Sequence, residues 1–232
     1  YSIRLNVNDG VHDYPEAFTI SVTDINEAPT DIALSANSIA EDQASGTAVG
    51  TLSATNPESG DTLTYSLVSG TGDTGNASFS IDGTTLKTAT ALDFETKNSY
   101  SIRLNVNDGV HDYPEAFTIS ITDVNDQPVA TPQTDVAATE QTAVTITLAG
   151  TDADGDTLTY SIVDAPTSGT ATLDGVTVTY TSTSDTATSD SFTFKVNDGT
   201  VDSAAATVSI AITAVNDQPV ATPQTDVAAT EQ

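Results

Sequence analysis

The chain has 232 residues, with 33 acidic side chains against 5 basic ones and a formal net charge of −28, so repulsion excludes a nucleic-acid backbone as its partner. It has no cysteine, methionine or tryptophan, which removes disulfides and thiolate metal sites. Hydrophobic residues make up 37% and recur in short alternating runs, enough to close small β cores in spite of the acidity. No stretch approaches the roughly 18 consecutive apolar residues of a membrane helix. The chain opens inside a strand pattern with no signal peptide, as an internal fragment would.

The first elements are already half of a repeat. YSIRLNVNDGVHDYPEAFTIS, at 1–21, recurs unchanged at 100–120, and VNDQPVATPQTDVAATEQ, at 124–141, recurs at 215–232. Repeats of this size mean tandem domains rather than solenoid coils, each about the length of an immunoglobulin-like sandwich. The expected division is 1–28, the last two strands of a preceding domain; 29–125, a whole domain; 126–216, a second; and 217–232, the first strand of another. In 1–28, Ile3, Leu5, Val7, Phe18, Ile20 and Val22 line strand faces that a lone hairpin cannot bury. Both end pieces are therefore expected to fray or to pair with another copy.

Alternation places seven strands in the first whole domain, at 32–39, 48–54, 63–67, 79–81, 86–91, 100–106 and 116–121. The second follows the same plan at 135–139, 144–148, 158–163, 170–173, 176–180, 192–196 and 205–212. NDG at 107–109 and at 197–199 marks the turn into each last hairpin, because Asn and Gly tolerate positive φ. No helical period is sustained, so the expected fold is all-β: tandem seven-stranded Greek-key sandwiches.

Acidic residues gather where these strands end. Glu41 follows the first strand of the first domain, Asp93 and Glu95 stand in LDFE, and Asp123, Asn125 and Asp126 follow the seventh strand. The next domain brings Asp152, Asp154 and Asp156 in TDADGD, and Asp198 in VNDG. Left bare, these carboxylates would repel one another. Calcium takes about 6 to 8 oxygen ligands and suits such a set, whereas magnesium prefers to keep several waters, and thiolate and imidazole metals lack ligands here.

Glu41, LDFE at 92–95, VNDG at 106–109, and DVNDQP at 123–128 followed by DAD at 152–154 resemble, in order, the calcium-binding motifs of the cadherin repeat. The second domain, with TDADGDTLTY, DSFTFKVNDG and AVNDQP, is similar to the cadherin-like modules of large bacterial surface adhesins. The resemblance implies a calcium-filled joint between consecutive domains, with up to three ions, in a rod-like arrangement. Glu41, Asp93, Glu95, Asp123, Asn125 and Asp126 would serve from the first whole domain, and Asp152, Asp154, Asp156 and Asp198 from the second. At the preceding joint, Asp24, Asn26 and Glu27 of DINEAP would meet Asn56, Glu58 and Asp108, with one charge fewer than DAD supplies, so weaker binding is expected there. At the following joint Ala214 replaces the aspartate and no LDxE occurs. Glu140, Asn216 and Asp217 remain, with Asp185 or Asp190 as substitutes, and fewer ions are expected.

Each acidic site also has a plainer reading as turn chemistry, since Asp and Asn are ordinary turn residues. His12 and His111 occupy one repeated loop position with no nucleophile or second base nearby in sequence, which points to a solvated loop rather than acid–base chemistry. Tyr14 and Tyr113 in that loop could stack on a sugar ring. The resulting expectation is a non-catalytic, calcium-rigidified extender of a secreted or cell-surface bacterial adhesin, with adjacent repeats as its partners. The alternative is a module that itself binds polysaccharide, or like modules on other cells.

Overall fold

Alternating Ile3, Leu5 and Val7 make β1 (Ser2–Asn8), and the NDG turn returns the chain as β2 (Asp13–Thr19), in a hairpin that pairs Ile3 with Phe18 and Asn8 with Asp13. The structure is a computed structural model that describes residues 1–219 and 221. It divides into two units, Tyr1–Val124 and Asn125–Gln232. Among the described residues, apart from one 3-10 turn at Asn76–Ser78, the regular elements are strands. Among the described residues no helix is long and apolar enough to cross a membrane. The strand expected within 217–232 lies for the most part outside the described residues.

After the hairpin, the first unit builds a sandwich from β3 (Asp31–Leu34), β4 (Ser38–Ala40), β5 (Ala48–Thr55), β6 (Thr64–Leu67), β7 (Phe79–Asp82), β8 (Thr85–Thr88), β9 (Ser99–Asn107) and β10 (Asp112–Thr122). One sheet runs β4-β10-β9-β6 and the other β3-β5-β8-β7. The run expected as one strand at 32–39 is thus split in two. Its first half pairs with β5 and its second runs parallel to β10, so the strand changes sheets at 35–37. Gly50 on β5 makes room for that crossing, since a Cβ there would meet the Ala36 carbonyl oxygen at 2.6 Å. Ile32, Leu52 and Leu86 from one sheet pack with Ile102, Leu104 and Ile119 from the other in a single core. Burial at about 25 cal/mol per Å² is the main force holding the sheets face to face.

The second unit repeats the topology with β11 (Val129–Ala130), β12 (Gln133–Thr139), β13 (Val144–Thr147), β14 (Gly150–Thr151), β15 (Thr159–Asp164), β16 (Gly169–Asp174), β17 (Thr177–Ser182), β18 (Ser189–Asn197) and β19 (Ala206–Thr213). Its sheets run β12-β19-β18-β15 and β13-β17-β16, with β11 on β14. Again the first strand serves both sides, and β12 lies parallel to β19. Phe192, Phe194, Val196, Val178 and Tyr180 form the centre of this core. In both units the parallel first-strand half fixes the geometry of one end. The residues just after β4 and β10 emerge side by side, as do those after β12 and β19.

Candidate metal centre

In each unit the linker folds back onto the end of its own sandwich that carries the NDG turn. Asn26 donates its side-chain N–H to Asp108 Oδ2 at 3.0 Å, and Asn125 donates to Asp198 Oδ2 at 2.9 Å. The next residue repeats the match: the Glu27 backbone N–H goes to Glu58 Oε1 at 3.0 Å, and that of Asp126 to Asp154 Oδ2 at 2.7 Å. Asn125 and Asp126, expected as ligands from the first domain, bond to the second unit through the Asn125 side chain and the Asp126 backbone N–H. The reason is local: the ND pair follows a strand end and reaches the turn and the DAD loop ahead of it.

Asp108 and Asp198 are buried. Asp108 is pulled down to about 2 by backbone N–H donation from His111, against the effect of burial, with further help from Val110 and Asn26. Asp198 lies below the usual carboxylate range because Asn125, then the Val201 and Thr200 N–H groups, donate to it. Both remain anionic at neutral pH. Glu27 is pushed up by its contact with the Glu58 carboxyl, and Asp24 adds to that repulsion.

At the opposite end of each sandwich sits a glutamate only 2% exposed, Glu41 in the first unit and Glu140 in the second. Glu41 accepts the Phe94 N–H at 2.6 Å on one oxygen and the Val124 N–H at 2.9 Å on the other. Among the described residues, Glu140 accepts just the Val215 N–H on its side chain, at 2.9 Å. The residue after each, Asp42 or Gln141, has φ of 58° or 57°, and this left-handed step turns the chain at once after the glutamate.

These ends gather carboxylates. Oxygens of Glu41, Glu95 and Asp123 lie within 4.8 Å of one another, and so do those of Asp152, Asp154 and Asp156 and those of Glu140, Asp185 and Asp217. Asp93 stands apart, with its two oxygens on the Thr96 N–H and hydroxyl at 2.7 and 2.9 Å, where it caps the turn. Asp24 is exposed on the linker. Asp61 holds the Asn56 amide at 2.9 Å; it was not among the expected ligands, although the shared GDTLTY string places it opposite Asp156.

Whether these residues fit a hard cation is tested by their unmet hydrogen bonds. Among the described residues, the buried side-chain oxygens with no donor are Asn56 Oδ1, Glu58 Oε2, Glu140 Oε1, Asp152 Oδ2 and Asp154 Oδ1. Every one belongs to an acidic strand-end set. Glu58, Asp152 and Asp154 share one pattern, with one oxygen on a backbone N–H and the other bare. A buried oxygen without a donor is destabilising by about 1–3 kcal/mol, and a cation of high coordination number removes that penalty. The residues fit calcium.

Residues 36–149 match the cadherin domain family, and residues 125–211 the bacterial Ig domain family. No curated protein matches the chain. Among solved structures, mouse cadherin-23 EC22-24 is 23% identical with a TM-score of 0.61, covering 92% of this chain and 74% of its own. Protocadherin gamma B2 extracellular cadherin domains 1–5 is 20% identical with a TM-score of 0.64 over 93% of this chain. The protocadherin gammaB4 extracellular domain is 22% identical with a TM-score of 0.60 over 91%. The chain spans 46% and 38%, respectively, of these two protocadherin structures. At such identities the likeness establishes the fold alone. By these matches, residues 36–149 are similar to a cadherin domain and residues 125–211 to a bacterial Ig domain.

Proposed function

We propose that the chain is a calcium-stiffened extender segment of a large bacterial surface or secreted adhesin, which holds a distal binding domain away from the cell. Cadherin domains generally bind calcium and are typically non-catalytic adhesion modules, which supports this reading. The bacterial Ig match supports the bacterial adhesin part of it. The observation that carries it is the set of buried, donor-less oxygens on Asn56, Glu58, Glu140, Asp152 and Asp154.

Glu41, Glu95 and Asp123 would hold calcium from the first unit, and Asn125, Asp126, Asp152, Asp154 and Asp198 from the second. Bound calcium supplies positive charge and 6 to 8 coordination positions for oxygen. The chain's own residues do the rest. Glu41 is fixed by two backbone N–H groups, so its position at the strand end is set before any ion arrives. Asn125 and the Asp126 backbone clamp the linker to the second sandwich. If sites exist only in the folded chain, calcium at 100 times its dissociation constant adds about 2.7 kcal/mol per site.

Small-angle scattering of the full chain, titrated from chelator into millimolar calcium, tests the proposal. The maximum dimension should increase and the scattering profile should become that of a stiffer particle. An unchanged profile across the titration would refute the stiffening role.

A further inference from the structure

The edge of a β-sheet is a row of unpaired backbone N–H and C=O groups, and folded chains blunt it with short strands, bulges, proline, charged side chains or a covering loop. Among the described residues, β16 (Gly169–Asp174) is the longest outermost strand of either sandwich with an unbroken register; β12 and β15 are each interrupted. It holds neither proline nor lysine. We propose that β16 is a docking edge, to which an extended cationic segment of another protein adds as the fourth strand of its three-stranded sheet. This interaction surface uses none of the calcium ligands.

The corresponding edge of the first sandwich is guarded. Its outermost strand β7 is 4 residues long, and Asp82 at its end is paired with Lys87 at 2.7 Å. The connection from β6 to β7 runs over 68–78 and is tied along β9, with the Val68 N–H on Arg103 O at 3.0 Å and the Gly75 N–H on Ser101 O at 2.7 Å. There β6 and β7 approach each other closely. In the second sandwich the connection from β15 to β16 is only 165–168, and these strands do not approach to the same extent. Between them opens a cavity of about 400 Å³, lined by Leu158, Thr159, Tyr160, Leu173, Gly175 and Val176.

The edge itself selects the occupant. Unpaired ladder groups are satisfied by another extended backbone, whose alternate side chains then face the same two sides as those of β16. Ala171 and Leu173 pack inward against the core, while Thr170, Thr172 and Asp174 are exposed. An added strand therefore sets apolar side chains over the cavity on one face. On the other it continues the cross-strand row Thr145, Thr179, Thr172, where β-branched neighbours pack well. Charge decides the remainder. Asp174 closes the edge and the chain carries −28, which attracts a cationic segment and repels a second copy of this chain.

Hydrogen exchange of the full chain tests this, with the synthetic peptide Lys-Val-Thr-Val-Thr-Val-Lys, blocked at both ends, as the probe. At saturating peptide the β16 amides that point away from β17 should exchange about tenfold more slowly or better, with β7 unchanged. The same peptide N-methylated at every Val and Thr keeps its side chains and charges but cannot extend the ladder, and should bind about tenfold more weakly or worse. Replacing both Lys by Glu should weaken binding by a similar factor of about ten. The proposal is overturned if β16 gains no protection, or if either altered peptide binds as well as the first. It is overturned too if β16 becomes protected without peptide as the chain is concentrated, since the occupant is then a second copy.

Discussion

The two sandwiches share a topology but secure the same end differently. In the first, LDFE supplies a backbone N–H to Glu41 and a self-contained cap at Asp93. In the second, Asp190 on β18 instead joins Tyr180 on β17 to residues 167 and 168, and Glu140 keeps a bare oxygen. A fold can thus keep its buried glutamate while moving the bonds that satisfy it. The buried glutamate of the second unit is therefore left less satisfied by the chain's own donors.

The largest effect should come from Asp190→Ala. It strands the buried Tyr180 hydroxyl and two backbone N–H groups, and unfolding of the second unit should become easier by about 3 kcal/mol, read by urea titration. If the loss is below about 1 kcal/mol, Asp190 does not hold β17 and β18 to residues 167 and 168. Next, Glu41→Gln places an amide donor against one of two N–H donors and should lower stability by about 2 kcal/mol without calcium. Glu140→Gln replaces only a bare oxygen and should stay within about 1 kcal/mol. Equal losses would erase the distinction between the two ends.

Acid should act on both units. Asp112 is held below 3.8 by the Asn105 and Asn107 amides. Asp190 is raised by burial but lowered overall by Tyr180 and the Ser191, Thr167 and Ser168 N–H groups. With depressed folded values, the unfolded chain takes up protons first as pH falls. Their stabilisation is therefore complete above about pH 4 and fades as the pH drops toward the lowered values. Melting temperatures measured down this range should fall less steeply in Asp112→Asn than in the unmodified chain. The smallest effect concerns the left-handed step: Gln141→Gly should stabilise by about 0.5 kcal/mol and Asp42→Gly by less, because Asp tolerates that conformation better. Calorimetric melting checks the order of the two.

Much of the candidate site was legible because repeated motifs show which acids follow which strand ends. Glu41, Glu95 and Asp123 come together, as do Asn125 with Asp198 and Asp126 with Asp154. The bonds made by Asp190 were not legible. Asp185 lies in the loop and Asp190 five residues on in β18, and only the placement of Tyr180 and residue 167 decides that Asp190 is engaged. The sheet change at 35–37 was hidden for a similar reason, since an apolar run reads alike whichever sheet its two halves join.

The identical hairpins mark the division. Residues 1–21 and 100–120 carry one sequence and adopt one register, Ile3 with Phe18 and Ile102 with Phe117, because alternation and the NDG turn are local properties. Yet Ile3, Leu5 and Val7 are 41%, 54% and 69% exposed while Ile102, Leu104 and Val106 are at 0%. The sequence by itself determined strands, turns, repeats and the acids at each end. Tertiary structure alone decided which copy is buried and which oxygens lack a donor, because burial and hydrogen-bond satisfaction depend on segments far along the chain.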